Sequence, residues 1–281
     1  MLAAQRIELP LPIWLETLRR EEITKVIQRD PRTRGDDLLG VSKARILSDV
    51  LGWGQADFDA SYLHLSGDDR ALLYGWFNLL GHLEELVEAF TQLFASGGPQ
   101  DPPIVVDVGC GPFTGGLALA AVLEGKPFSY IGMDRSSAMR RLGESLALAA
   151  ERAGALEGVD RHWVDDFASL DWRQPPGWRP IIVIASYLLA SSSLNPTELV
   201  TSIDTLCSRL GRGPVTVLYT NSPKDGPNRT FGSFRAALEA AGFTIFADDH
   251  GSITIDRFGG ARERKLRYAL FHRNAQTTLD V

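Results

Sequence analysis

The sequence predicts an α/β fold: a doubly wound, mainly parallel seven-stranded sheet on residues 99–281, behind a helical N-terminal subdomain on residues 1–98. Three observations predict it. Short apolar runs alternate with helical stretches from Ile104 onward, an amphipathic helical period precedes residue 96, and the glycine- and proline-rich SGGPQDPP at 96–103 separates the two textures.

Residues 12–96 read as helical, most clearly from Trp76 to Phe94, where Leu79, Leu83, Leu86, Val87, Phe90 and Phe94 recur every three to four positions. Glu84, Glu85 and Glu88 are expected on the opposite face. Beyond the break come IVVDV, FSYIGMD, HWVDDF, IIVIASYLL, VTVLYT, FTIFA and LRYALFH. Strands alternating with helices imply crossover connections, hence parallel pairing with helices on both faces. The last two are expected to pair antiparallel, with GGARERK at 259–265 as the intervening turn.

With 44% hydrophobic residues, the 281-residue chain can bury one large core and an appended subdomain. A formal net charge of −6 supplies no global field toward nucleic acid or anionic lipid, so neither is favoured as a partner. Cys110 and Cys207 lack CxxC spacing, which argues against a disulfide scaffold or a thiolate zinc site and fits a reducing, cytoplasmic compartment. No run of eighteen apolar residues occurs, and charges and prolines interrupt the first twenty residues. Neither a membrane span nor a signal peptide is therefore expected.

The strongest motif is PPIVVDVGCGPFTGG at 102–116, a buried-strand run that ends in Asp107 and turns through Gly109 and Gly111 into an apolar helix. Glycines there let the backbone turn tightly and approach a ligand, and the N–H groups at the helix start are expected to face it. A dinucleotide fingerprint would place a third glycine at Thr114, whereas Gly115 and Gly116 come late. The next strand ends in Asp134, 25 residues after Gly109, where a carboxylate can accept both hydroxyls of a ribose or cap the following helix. After a third strand, Asp166 can accept from an adenine amine, with the Phe167 N–H and ring beside the base. Acids at two successive strand ends describe an adenosine rather than a phosphate.

On VVDVGCG, IGMD, VDDF and IIVIASYLL, in that order, the chain from about Pro103 to His272 resembles the class I S-adenosylmethionine-dependent methyltransferase family, with its Rossmann-like seven-stranded sheet. The resemblance implies S-adenosyl-L-methionine as cofactor. It places Asp107, Gly109 and Gly111 in the first motif with Cys110 between them, Asp134 and the adjoining Arg135 at the ribose, and Asp166 and Phe167 at the adenine. GCGPFTG and VIASYLL are also similar to ribosomal small-subunit methyltransferase-like proteins. Those usually carry glycine where this chain has Phe113, which is expected to put a large side chain near the methionine end of the cofactor.

The fourth strand lacks the Asn/Asp-Pro-Pro-Tyr sequence of amino-group methylases and ends instead in Ala185, Ser186 and Tyr187. Ser186 is a candidate cofactor contact, and Tyr187 a candidate catalytic residue, as orienter or weak base. Tyr219 and Asn221, opening the polar loop at 218–234, are candidate substrate contacts. Tyr62, His64, Tyr74, Trp76 and Asn78 are candidates for covering the site mouth. Asp248, Asp249 and His250 read as a solvated turn and not a metal site; Arg257, Arg262, Arg264, Lys265 and Arg267 read as a charged hairpin tip rather than an RNA surface. The expected reaction is methyl transfer to an unidentified acceptor. A non-catalytic binding or assembly protein of the same fold and, less favoured, an NAD-dependent oxidoreductase are the alternatives.

Overall fold

The computed structural model describes residues 11–275 except 175–176, 192–193, 250–251 and 258–259, and only the backbone of 252–257 and 260–264. In chain order the helices and strands are α1 (Ile13–Arg19), α2 (Lys25–Arg29), β1 (Asp37–Leu38), β2 (Val41–Ser42), α3 (Lys43–Arg45), α4 (Gly67–Tyr74) and α5 (Leu80–Ala95). There follow β3 (Ile104–Val108), α6 (Thr114–Leu123), β4 (Ser129–Met133), α7 (Ser137–Arg152), β5 (Asp160–Val164), β6 (Ile181–Ser186) and α8 (Pro196–Leu210). The last are β7 (Val215–Asn221), α9 (Phe231–Ala240), β8 (Thr244–Asp249), β9 (Ser252–Arg257), β10 (Gly260–Lys265) and β11 (Arg267–Arg273).

Seven strands form one sheet in the order β5-β4-β3-β6-β7-β11-β8. Every run expected as a sheet strand is one. β4 and β5 pair in parallel, as do β6 and β7, while β11 runs antiparallel to both β7 and β8. β3 is buried over its whole length, as a strand covered on both faces must be.

Two expectations need correction. Residues 12–96 are not helical throughout, because the stretch 30–66 holds the β1–β2 ladder, short helical turns and irregular chain. Asp30-Pro31, Gly35, Gly40, Gly52 and Gly54 interrupt the helical period there, and those four glycines take positive φ. GGARERK is also more than a turn: Gly260–Lys265 is β10, paired with β9 in a separate hairpin between β8 and β11.

The chain divides into two compact units. One joins Leu11–Leu83 to Asp107–Leu170; the other joins Glu84–Val106 to the described residues from Asp171 onward. In the first, α7 is the central helix, with α1, α4 and α6 packed on it. A capping box starts α4, the Asp69 N–H donating to Ser66 Oγ (3.1 Å) and the Ser66 N–H to Asp69 Oδ2 (2.9 Å). Buried Arg70 donates to the main-chain carbonyls of Val50, Asp57 and Ala60, tying down the loop before α4.

The same unit holds an aromatic cluster. Phe113, fully buried, meets Tyr130 edge-on at 4.7 Å between ring centroids and Trp163 at 5.5 Å. Three glycines make room for it. A Cβ on Gly116 would lie 1.9 Å from the Phe113 ring, one on Gly132 2.8 Å from both Trp163 and Tyr130, and one on Gly143 3.1 Å from Trp163. Phe113 therefore points into the core, which corrects the expectation that its ring borders the cofactor's methionine end.

In the other unit, β6 and β7 are buried almost throughout and α8 packs beside α9. Asn195 caps α8, accepting from the N–H of Thr197 at 3.0 Å, and Pro196 fixes its first turn. Glu85 of α5, expected on an outer face, is only 1% exposed. α5 is buried on most sides, so the three glutamates do not share one solvent face.

Candidate functional site

In the first unit the glycine turn and the β4 terminus converge. The N–H of Gly111 donates to Asp134 Oδ2 at 2.9 Å, and the N–H of Ser136 donates to Asp134 Oδ1 at 2.9 Å. Burial is the largest influence on Asp134 and raises its pKa; these two N–H groups and the charges of Arg140 and Arg135 oppose it. Gly111 has φ +52°, and a Cβ built there would meet nothing within 4 Å. Open space therefore adjoins Gly111, whose N–H holds the carboxylate.

The N–H groups of Gly109 and Cys110 do not face that space. Both donate to the Met133 carbonyl, at 2.7 and 3.0 Å. Phe113, at the α6 N-cap, takes φ +67° and offers no side-chain acceptor to the helix. The backbone thus forms a tight turn but no anion cradle of unbonded N–H groups from Gly109 to Gly111.

Asp107 lies beneath the turn, 2% exposed, and accepts from Tyr130 Oη at 2.7 Å. Burial, with the nearby charge of Asp134, pushes its pKa up to about 7 against the hydrogen bonds from Tyr130 and the Gly115 main chain. Burial likewise pushes the Cys110 thiol up, well above the ordinary thiol range. Cys110 is an inert core thiol here, and its backbone, not its sulfur, shapes the loop.

At the end of β5, Asp166 is exposed, and its Oδ1 accepts from the N–H groups of Ala168 and Ser169, each at 2.8 Å. It folds a turn in which Phe167 is half-buried. The Asp134 N–H donates to the Val164 carbonyl at 3.1 Å, so the ends of β4 and β5 lie side by side. Arg135 is exposed.

In the second unit the end of β6 is strained. Tyr187 takes φ +57°, its N–H donates to the Thr220 carbonyl at 2.9 Å, and its hydroxyl donates to Glu85 Oε1 at 3.0 Å. Thr220 Oγ1 donates to Ser186 Oγ at 2.9 Å. Tyr219 and Asn221 are fully buried. Asn221 Nδ2 donates to Tyr219 Oη (2.9 Å) and to the Pro227 carbonyl (3.1 Å), while Tyr219 Oη donates to Asn228 Oδ1 (2.7 Å). Their polar atoms close the loop at 222–228, and burial pushes the Tyr219 hydroxyl up to about 12.

The remaining sequence candidates have other partners. Asp248 faces Arg235 at 3.6 Å and Arg267 at 3.5 Å, and Arg267 also lies over the Phe231 ring at 3.9 Å. Arg267 is thus part of a packed cluster and not a hairpin tip; His250 and the side chains of Arg257, Arg262 and Arg264 lie outside the described residues. Among the described residues no cluster of three or more metal-ligating side chains occurs, and no helix is long and apolar enough to cross a membrane. His64 Nε2 contacts the Leu39 carbonyl at 2.7 Å, and Tyr74 packs on Phe58 and reaches His82 Nδ1 at 3.3 Å. A cavity of about 410 Å³ opens at the amino ends of β6, β7 and β8, lined by Pro180, Pro214, Thr216, Thr244, Phe246 and His272, away from the strand ends that carry the candidate residues.

Sequence reasoning missed two acids. Asp59 accepts four hydrogen bonds from Ser136, Ser137 and Ala138, 77 to 79 residues away. Glu85 is the acceptor for Tyr187. Neither sits in a motif, and a long-range partner leaves no local signal.

Strand order and the antiparallel β11 give the Rossmann-like methyltransferase fold. No family model matches the sequence, and no curated protein matches it. Among solved structures the chain is similar to precorrin-6y C5,15-methyltransferase from Geobacter metallireducens GS-15, with a TM-score of 0.44 and 14% identity over 67% of this chain and 88% of that one. It is also similar to an S-adenosylmethionine-dependent O-methyltransferase from Thermotoga maritima (TM-score 0.42, 10% identity, 68% and 66%). A third is a TehB-like S-adenosylmethionine-dependent methyltransferase from Corynebacterium glutamicum (0.39, 14%, 70% and 99%).

Proposed function

We propose that the chain is an S-adenosylmethionine-dependent methyltransferase, with the acceptor unidentified. The observation that carries this reading is Asp134: a largely buried carboxylate held by the N–H of Gly111, the glycine that faces open space. A carboxylate has about four acceptor positions. Two take main-chain N–H groups, and the capacity left suits the paired hydroxyls of a ribose.

The same geometry disfavours a dinucleotide. A pyrophosphate needs unbonded N–H donors at the turn, and those of Gly109, Cys110 and Gly111 are all engaged. An adenosine joined to a sulfonium makes no such demand. In this reading Gly109, Cys110 and Gly111 give the cofactor a backbone surface over Asp107, Arg135 flanks the ribose, and Asp166 shapes the turn that sets Phe167 against the adenine.

When bound, S-adenosylmethionine supplies an electrophilic methyl group on sulfur. Methyl transfer demands alignment above all, and alignment can supply several kcal/mol of the barrier. Tyr187, held by Glu85, is the proposed orienting residue. The test is calorimetric titration of the whole chain with S-adenosylhomocysteine and with NAD. The first is expected to bind, and Asp134→Ala to weaken it by about 1.5–3 kcal/mol through loss of charge-assisted bonds. NAD binding in its place, or an affinity indifferent to Asp134, would refute the assignment.

A further inference from the structure

We propose that Asp59 is a positioning and specificity residue of the adenosine site: its carboxylate occupies the amino end of α7, fixes the turn carrying Asp134, and bars phosphate from the ribose edge. The inference rests on the adenosine reading of that site.

Asp59 Oδ1 accepts from Ser136 Oγ (3.1 Å), Ser137 Oγ (3.0 Å) and the Ala138 N–H (2.9 Å), and Oδ2 accepts from the Ser137 N–H (2.9 Å). Ser136 is the shared element. Its N–H holds Asp134 Oδ1, its hydroxyl binds Asp59 and accepts from the Met139 N–H at 3.2 Å. A change at Asp59 therefore reaches Asp134 through a single residue.

The loop that presents Asp59 is fixed in turn. Arg70 donates to the carbonyls of Asp57 and Ala60, at 2.5 and 2.6 Å, on either side of it, and the Asp59 N–H donates to Asp57 Oδ1 at 3.1 Å. A Cβ on Gly67 would lie 2.5 Å from the Phe58 carbonyl and 3.4 Å from Ala138, so α4 packs closely against this loop and α7. Burial works to raise the Asp59 pKa, but the donors of Ala138, Ser137 and Ser136 outweigh it and hold it at about 2.

The amino end of a helix attracts anions through its N–H groups and dipole. Here a carboxylate of the same chain already meets both, so a phosphate on the ribose 2′ or 3′ oxygen would find two negative charges, Asp59 and Asp134. The neighbouring arginines do not reverse this. Arg140 donates to the Asp134 carbonyl oxygen, Arg141 pairs with Asp68 at 2.7 Å, and Arg135 is exposed to solvent screening.

The experiment measures Kd of the whole chain for S-adenosylhomocysteine, adenosine and adenosine 2′-phosphate, in the wild type and in Asp59→Asn and Asp59→Ser. The wild type is expected to prefer adenosine to its 2′-phosphate by at least about tenfold. Both variants are expected to bind S-adenosylhomocysteine several-fold more weakly and to narrow that preference below about threefold, a change of ratio that loosened folding alone does not produce. An unchanged ratio in folded variants overturns the specificity claim, and unchanged S-adenosylhomocysteine affinity overturns the positioning claim. If neither variant folds, Ser137→Ala removes one of the four bonds and leaves the charge; it should weaken S-adenosylhomocysteine with the preference intact, and no weakening refutes the positioning role. Failure of the wild type to bind S-adenosylhomocysteine at all refutes the adenosine reading instead.

Discussion

The carboxylate of Glu85 on α5 accepts the hydroxyl of Tyr187 at 3.0 Å, across 102 positions of sequence. The glutamate is 1% exposed, so this hydrogen bond lies out of water. Such a bond also holds the tyrosine in a left-handed backbone conformation that only glycine adopts without strain.

Tyr187→Phe removes the donor while keeping the ring. It is expected to destabilise the chain by about 1–3 kcal/mol, because a buried carboxylate loses a hydrogen bond. Urea unfolding checks this; a change within about 0.5 kcal/mol would mean that the bond is of little consequence to stability.

Gly116→Ala would place a methyl group 1.9 Å from the Phe113 ring. Overpacking of this kind costs about 1–3 kcal/mol or more. Phe113→Leu, made in the same chain, is expected to recover part of the loss. The two changes should therefore be strongly non-additive in a double-mutant cycle of unfolding free energies.

Asp107 gives a pH dependence with a definite sign. Its folded pKa, about 7, lies above its ordinary value of 3.8, so the folded state holds the proton more tightly than the unfolded chain. The stabilisation is complete below about pH 4 and is lost as pH rises toward 7. Asp134 shifts in the same direction, while Asp59, held at about 2, acts oppositely and only below about pH 4. Unfolding free energies of the wild type are expected to fall between about pH 4 and 7, and Asp107→Asn to flatten that fall. An equal slope in the variant would refute the account.

Arg70→Lys keeps the charge but cannot span three carbonyls. The planar guanidinium reaches Val50, Asp57 and Ala60 at once. A loss of about 2–4 kcal/mol is expected, since buried acceptors are left without donors. Urea unfolding provides the measure, and a loss below 1 kcal/mol would show that water or the lysine replaces these bonds.

Most of the seven strands were legible because each is a continuous or nearly continuous apolar run bounded by turn residues, a signal that depends on local sequence alone; β5, with Trp163 and Val164 as its apolar residues, was legible from the acids that follow it. The convergence of Gly111 and Asp134 was legible for a related reason: in a parallel sheet, neighbouring strands end on the same edge. Side-chain direction was not. Phe113 faces the core because Gly116, Gly132 and Gly143 vacate space for it and its ring partners, and those glycines come from three different elements. The donors of Gly109 and Cys110 turn back to Met133 through strand register, which no motif encodes. Glu85 followed the helical period onto an outer face, yet that helix has hardly any outer face. β9 carried a short alternation, Ile253 and Ile255 among polar residues, but β10, GARERK, shows none, and the charged run read as a turn.

Asp59 has a practical corollary for anyone shortening this chain. Cutting it at residue 98 to isolate the sheet would remove Asp59, Arg70 and the helices packed on α7, leaving the Ser137 and Ala138 N–H groups without their acceptor and the apolar side of α7 in water. The excised fragment should aggregate or melt early, and a faithful truncation must begin upstream of α1.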